Sequence, residues 1–368
     1  MSTVTHEHSE PLIHISKRAS ISKGKAWGIR GIALLLALVV AGLVIFAIVK
    51  LSPIKVYSAM FDGAFGTQKR AWATIRDAMM LLCIAIGLAP AFKMRFWNIG
   101  AEGQVLVGGI ATAGCMIMFG SLPAPLLFSL MIVTSLIAGA VWGLIPAIFK
   151  ARWGTNETLF TLMMNYVAIQ LTSFCVSKWE NPFGSNSVGI INPGTHAGYF
   201  PKLFGQTYAL NVIIVLALAV CMFIYLKYTK QGYEISVVGD SENTARYAGI
   251  SVRKVYIRTM ALSGAVCGIA GFLAVAGVSH TISTSTADGR GFTAIIVAWL
   301  AKFNTFVMIL IAFLLVFLEK GAIEIASRYN LNDYASKIIT GILLFFILGS
   351  EFFINYQVKF RRKGGMQA

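Results

Sequence analysis

Apolar runs of about twenty residues recur along almost the whole chain, separated by short polar segments that carry most of the charge. A membrane-crossing helix needs roughly 20 predominantly apolar residues. The runs at 31–49, 72–91, 100–119, 125–149, 157–176, 208–226, 257–278, 305–320 and 335–354 fit that length. A further run, 291–301, lies between Arg290 and Lys302 and is too short to cross comfortably. It reads as a tilted or discontinuous helix and brings the expectation to about ten crossings. The pattern predicts an all-α polytopic membrane protein with a basic tail at 1–30, one transmembrane domain at 31–354 and a second basic tail at 355–368.

Charge adds direction. Only 12% of the 368 residues are charged and 57% are hydrophobic, where a soluble domain carries about 25% charged residues. The net charge of +16 falls in short loops and tails, the positive-inside pattern. Lys93, Arg95, Lys150, Arg152, the loop 227–256 with Lys230, Arg246 and Arg253, and the tail with Lys359, Arg361, Arg362 and Lys363 mark the cytoplasmic side. Both termini are then cytoplasmic and the number of crossings is even. The first run is too long for a signal-peptide core and lacks a small-residue cleavage site, so it reads as an uncleaved span. Lys50 to Arg70 runs against the rule: it should be external yet carries Lys50, Lys55, Lys69 and Arg70. No basic patch alternates with aromatic residues, which excludes nucleic acid as a partner and leaves the lipid bilayer.

Other chemistries find little support. Cys83, Cys115, Cys175, Cys221 and Cys267 lie in or at the end of apolar runs with no CxxC, and read as small core residues. His6, His8 and His14 read as solvated tail, and His196 and His280 as lone residues. The stretch from Gly289 to Ala294 fits a dinucleotide pattern formally but opens an apolar run rather than a βαβ unit, and GxxxxGK[ST], HExxH and GxSxG are absent. Nothing points to an enzyme or to a cofactor or metal held by this chain. The largest external loop, Ser177 to Thr207, combines turn residues with Trp179, Phe183, Tyr199 and Phe200, which fits either a partner surface or interfacial aromatics.

Polar groups inside apolar runs are candidates for function, because a bilayer makes them costly. Asn98, Glu102 and Gln104 fall in a run with Gly100 and Gly103. They read either as lining of a transport path or as a helix N-terminus with a favourably placed carboxylate. A second set follows Gly154, with Thr155 or Asn156 as cap. Thr158, Thr161, Asn165, Ala168 and Thr172 then share one helix face, and either line a polar cavity or bond helices together. Ser263, Gly264, Cys267, Gly268 and Gly271 form a small-residue stripe for close helix packing. Between two apolar runs lies a polar island, Gly232 to Ile257. It contains a short helix with Asp240 or Ser241 as N-cap and Gly249 as its stop, a feature suited to docking a partner.

Three of these segments, NIGAEGQ at 98–104, GTNETLFTLMMNY at 154–166 and VGDSENTARYAGISVRK at 238–254, resemble the permeases of bacterial ABC importers for simple sugars and nucleosides, with the nucleoside branch nearest. The resemblance covers about residues 72–350. It implies an ABC importer permease fold in the bacterial inner membrane, a second permease subunit, a cytoplasmic ABC ATPase that binds ATP and Mg, and an extracytoplasmic substrate-binding lipoprotein. It also implies a coupling helix at Gly239 to Ile250, with Glu242, Arg246 and Tyr247 facing the ATPase after Gly239, Asp240 and Ser241, and Gly249 ending it. The long N-terminal tail resembles the larger of two paired permeases. The chain departs from the family after residue 292, where a glycine and a proline are replaced by Ala301, Lys302, Phe303, Asn304, Thr305 and Phe306. Alternatives are a pentose, hexose or riboflavin cargo, or an ion-coupled secondary transporter, for which Glu102, Glu157 and Glu351 are the available carboxylates.

Overall fold

A computed structural model describes residues 13–18, 22–49, 53–330, 338, 341–342, 345–346, 349–350, 352–354 and 356–360. Among these, seven helices are long and apolar enough to cross a membrane. The sequence span at 335–354 lies largely outside the described residues, as do His6, His8, Lys50, Arg361, Arg362 and Lys363.

Residues 67–316 form one compact unit. It contains α3 (Gln68–Lys93), α4 (Ala101–Met118), α5 (Ala124–Trp153), α6 (Glu157–Trp179), α7 (Ala209–Tyr228), α8 (Lys230–Asp240), α9 (Glu242–Tyr247), α10 (Val252–Ala274, extended by a π turn Val275–Ser279), α11 (Arg290–Leu300) and the start of α12 (Thr305–Arg328). Local chemistry sets many of the ends. Thr67 caps α3 by accepting from Arg70 N at 3.2 Å, and Asn156 caps α6 by accepting from Leu159 N at 3.1 Å. Gly154, at φ 65°, closes α5 in the left-handed conformation that glycine adopts without strain.

The core of this unit is α3, α4 and α10, which are mostly buried, while α5, α6 and α7 each bury one face. The small-residue stripe explains how the centre closes. A Cβ on Gly264 would collide with the Gly139 carbonyl oxygen, and one on Gly268 with that of Ser135. Gly271 lies as tightly against Val105 and Gly109. Backbone-to-backbone contact of this kind gives helices the dispersion they need where lipid is as apolar as they are. Cys83, Cys115 and Cys267 are buried here, but Cys221 is exposed on the outward face of α7, against its reading as a core residue.

A second unit holds residues up to 66 and those from 317 onward. It contains α1 (Lys23–Val49), α2 (Pro53–Phe65) and the last turns of α12. The basic segment 50–70 proves to be no simple loop. Helix α2 buries Val56, Ala59, Met60 and Ala64 along one face, exposes Ile54 and Phe61, and stacks Phe65 on Phe317 at 5.9 Å. Arg328 donates to Asp62 at 3.2 Å. The tails depart from the all-α expectation too. Strand β1 (Ile13–Lys17) pairs antiparallel with β2 (Tyr356–Phe360), His14 opposite Lys359.

The loop after α6 is ordered by side-chain bonds. Asn192 Nδ2 donates to Met116 O at 2.8 Å, and Tyr199 Oη donates to Ile191 O at 2.6 Å. His196 and His280, read as lone from sequence, flank the same tyrosine: the His280 ring stacks on Tyr199 at 3.7 Å and His196 lies 5.1 Å from it. Burial, and then the neighbouring His196, hold the His280 imidazole below its ordinary pKa. The unfolded chain therefore takes up that proton first as pH falls below about 6.5, and folded stability declines until the lower folded value is passed. Acidification from about pH 7 to about pH 5.5 should lower the melting temperature of the wild type more than that of His280→Asn, measured by thermal unfolding in detergent.

Candidate functional site

Between α3 and α4 the chain stops being helical for residues 94–100 and turns back into the bundle. Asn98 ends up beside Ser263, with its Nδ2 3.2 Å from Ser263 Oγ. That places it about 16 Å along α10 from the first residue of that helix, at 1.5 Å per residue. Asn98 does not cap α4 directly. Gly100 is the N-cap residue, and Asn98 Oδ1 accepts from Gly100 N at 3.0 Å while its amide faces Gln104 at 3.4 Å.

The threonine–asparagine face of α6 closes over this segment. Thr161 Oγ1 accepts from Ile99 N at 3.1 Å and lies 3.3 Å from Trp97 O. Asn165 bridges the break: Oδ1 accepts from Gly103 N at 2.9 Å and Nδ2 donates to Ile99 O at 2.9 Å. Asn98, Gln104, Thr161 and Asn165 are all buried, whereas Thr158 is half-buried at the edge. The amides are engaged with one another and with backbone, so they form a frame that holds non-helical backbone in place.

Glu102 has a specific partner that sequence did not reveal. Its two carboxylate oxygens accept from Gly289 N at 2.7 Å and Gly291 N at 2.8 Å, the N-terminus of α11. A carboxylate there satisfies orphan backbone donors and meets the positive end of the helix dipole. Gly291 must be glycine, because a Cβ would collide with Glu102 N and its carboxylate. The same helix end is tied to α3. Asp77, 4% exposed at the side chain, accepts from Arg76 at 2.9 and 3.0 Å and lies 3.5 Å from the Arg290 guanidinium. Arg76 also donates to Tyr208 Oη at 3.2 Å. Asp77, Arg76 and Arg290 were missed from sequence, although an aspartate inside an apolar run is itself the signal.

Helix α11 has 11 residues, about 16 Å, roughly half the hydrocarbon thickness. Its start lies beside Asp77 and its end beside Phe92, so it runs parallel to α3. The turn after it is made without glycine or proline: Lys302 and Phe303 take φ 49° and 60°, and Asn304 Oδ1 accepts from Phe306 N at 3.1 Å to start α12.

The polar island is a second candidate site. Ser241 Oγ accepts from Thr244 N at 3.3 Å and caps α9, a helix of six residues. Gly249 at φ 74° ends it, with Ile250 N donating to Ala245 O. Gly239 and Asp240, expected in this helix, instead close α8, where Gly239 packs against the Lys93 carbonyl. Glu242 pairs with Arg246 at 3.3 Å and accepts from Tyr256 Oη at 2.5 Å. Tyr247 is 94% exposed. Beside α9 opens a cleft of about 560 Å³ lined by Lys150, Arg246, Arg253 and Tyr256.

The profile of the family described as branched-chain amino acid transport system / permease component matches residues 71–348. The chain belongs to this family. Relatives extend the match over nearly the whole permease. A guanosine ABC transporter permease of Bacillus subtilis is 31% identical over 336 residues, 90% of this chain and 96% of its own length. A glucose ABC transporter permease of Haloferax volcanii is 29% identical, covering 96% of this chain and 95% of its own. A nucleoside ABC transporter permease of Lactococcus lactis is 27% identical over 84% and 88% of the two chains. The protein is thus a multi-pass membrane permease, and both sites described above fall inside the matched region.

Proposed function

We propose that this permease carries a nucleoside inward across a bacterial cytoplasmic membrane, as one of two membrane subunits in an ATP-driven importer. The observation that carries this reading is α9, a capped six-residue helix standing on a basic island with an almost fully exposed tyrosine. A cytoplasmic ATPase, which binds ATP and Mg, docks on α9. An extracytoplasmic binding lipoprotein delivers the cargo. The nucleoside assignment is supported by the guanosine and nucleoside relatives, against glucose and riboflavin relatives of the same family. A paired arrangement is supported by a second guanosine permease of Bacillus subtilis, 26% identical over 235 residues, beside the first. Both termini then lie in the cytoplasm, on the side of α9.

Transport is a shift between inward-open and outward-open populations, driven by ligands that bind the two differently. Movement of α9 is transmitted through α10 to the frame of Asn98, Gln104, Thr161 and Asn165, and from Glu102 to α11. The path runs along the non-helical segment and α11, with Thr158 at its margin. Arg246→Glu should cut ATP-driven uptake at least tenfold while the protein still folds. The Glu242–Arg246 pair is solvent-exposed, 45% and 65% at the side chains, and such pairs contribute little stability. Uptake in vesicles, with size-exclusion profiles as the folding check, measures this. Unchanged uptake places the docking surface elsewhere.

A further inference from the structure

Helix α10 begins directly after α9 and, with its π turn, runs 28 residues, about 42 Å. Its far end is tied to the loop after α6. Phe200 N donates to Ala276 O at 3.2 Å, Ile191 N donates to His280 O at 2.9 Å, and His280, which closes the π turn, carries the Tyr199 ring. Helix α7 is anchored elsewhere. It packs along α3, and its N-cap residue Tyr208 accepts from Arg76 at 3.2 Å with the guanidinium 4.9 Å above its ring. The two anchored bodies touch at Asn211, in the first turn of α7. Asn211 is fully buried, and its amide lies so close to Gly277 of the π turn that a Cβ there would collide with it. The amides of Asn98, Gln104, Asn165 and Asn192 are all engaged, yet neither Oδ1 nor Nδ2 of Asn211 has a hydrogen-bond partner among the described residues.

We infer that the Asn211–Gly277 contact is a sliding joint between α7 and α10: the amide is unpaired in this conformation and gains its partners in the other state of the transport cycle. This rests on the ATP-driven importer reading above. Buried polar groups are paired as a rule, and one left unpaired bears the full cost of its desolvation. Such a cost persists where another state of the molecule recovers it. The contact also has the form that sliding needs. Gly277 offers no side chain to interlock with α7, and α7 makes only slight contact with the π turn. The π turn is itself a place where the helical ladder has left its regular register, a feature frequent at functional sites. Each side is held within its own body, α10 to the loop after α6 and α7 to α3, so displacement concentrates at the boundary. A movement begun at α9 travels along α10 as a rod and is taken up there, as a small shear between packed helices.

The test uses the complete importer with its ATPase, second permease and binding protein. The melting temperature of the labelled permease is read by size exclusion after heating, without nucleotide and after trapping with ATP and vanadate. Asn211→Leu keeps the bulk of the side chain and removes both unpaired atoms; Asn211→Met does so with an unbranched, adaptable chain. Without nucleotide, at least one of them should melt about 3 °C or more above wild type, because the unpaired amide is gone. In the trapped state that gain should vanish or reverse. ATP-driven uptake of guanosine, glucose or riboflavin, whichever wild type accumulates in proteoliposomes, should fall about tenfold as one state becomes favoured. Ile213→Val, at a site 48% exposed in the same turn, is the control and changes neither reading. If both variants melt lower in both states, or neither folds, the amide is already paired, as by a buried water, and the joint is overturned. An equal gain in both states with full uptake means an amide idle throughout the cycle, and overturns it too. If wild type accumulates none of the three solutes with ATP, the importer reading falls and takes the joint with it, whatever the melting temperatures.

Discussion

Asp77→Ala should abolish uptake and markedly destabilise the purified permease. The side chain sits between two guanidiniums, Arg76 at 2.9 Å and Arg290 at 3.5 Å, with only 4% of its surface exposed. Its removal leaves two partly buried cations, 18% and 26% exposed at the side chains, facing each other. Breaking a buried ion pair by deleting one partner costs about 3–5 kcal/mol, because the remaining charge is uncompensated. That is a large share of the roughly 5–15 kcal/mol by which folded domains are stable. The functional loss has a structural route: Arg290 opens α11, whose backbone is held on its other side by Glu102. Asp77→Asn, which keeps the shape and one acceptor, should be milder in stability yet still impaired in transport. Thermal unfolding followed by size-exclusion, beside uptake in vesicles, separates the two effects. Full uptake in Asp77→Ala would mean that α11 needs no tether to α3.

Gly268→Leu has a comparable expected effect, through packing instead of charge. Gly268 lies where α4, α5 and α10 meet. A Cβ there collides with the Ser135 carbonyl, and Gly108 already approaches Gly268 backbone closely from the other side. No rotamer relieves a clash that begins at Cβ with the backbone of α5. The helices must separate, and contact is lost along the whole crossing. Overpacking a well-packed core costs typically about 1–3 kcal/mol even where neighbouring side chains can yield; here the neighbour is backbone, so Gly268→Leu should yield no folded protein. Gly268→Ala should be intermediate. Gly194→Ala, with nothing within 4 Å of the added carbon, should be silent. Yield of monodisperse protein from membranes reads out the series.

Much of this architecture was legible in the chain. The spans were visible because a bilayer demands a fixed length of apolar residues, and the caps were narrowed to Thr155 or Asn156 and to Asp240 or Ser241 because a helix start needs a side-chain acceptor; the structure selects Asn156 and Ser241. The stripe at 263–271 carried its meaning in residue size. What stayed hidden depends on partners distant in sequence. Asp77 meets Arg290 across 213 positions, and the Glu102 carboxylate binds backbone N–H groups, which have no signature in sequence at all. Asn98, Gln104 and Asn165 were visible as costly polar residues, but composition cannot distinguish an amide that faces a cavity from one that props up a broken helix. The tail strands were missed because each is five residues long and gains its ladder only from the other end of the chain.

That last pairing bears on how the protein is made. Strand β1 leaves the ribosome well before β2, so the ladder between Ile13–Lys17 and Tyr356–Phe360 cannot form until all the residues between them have been translated. At 5–20 residues per second the first strand waits on the order of 20–70 s for its partner. The sheet is therefore a late step, closed only after every segment between the two strands has been made. A nascent permease truncated before Tyr356 keeps an open strand edge, the kind of surface that pairs with other chains.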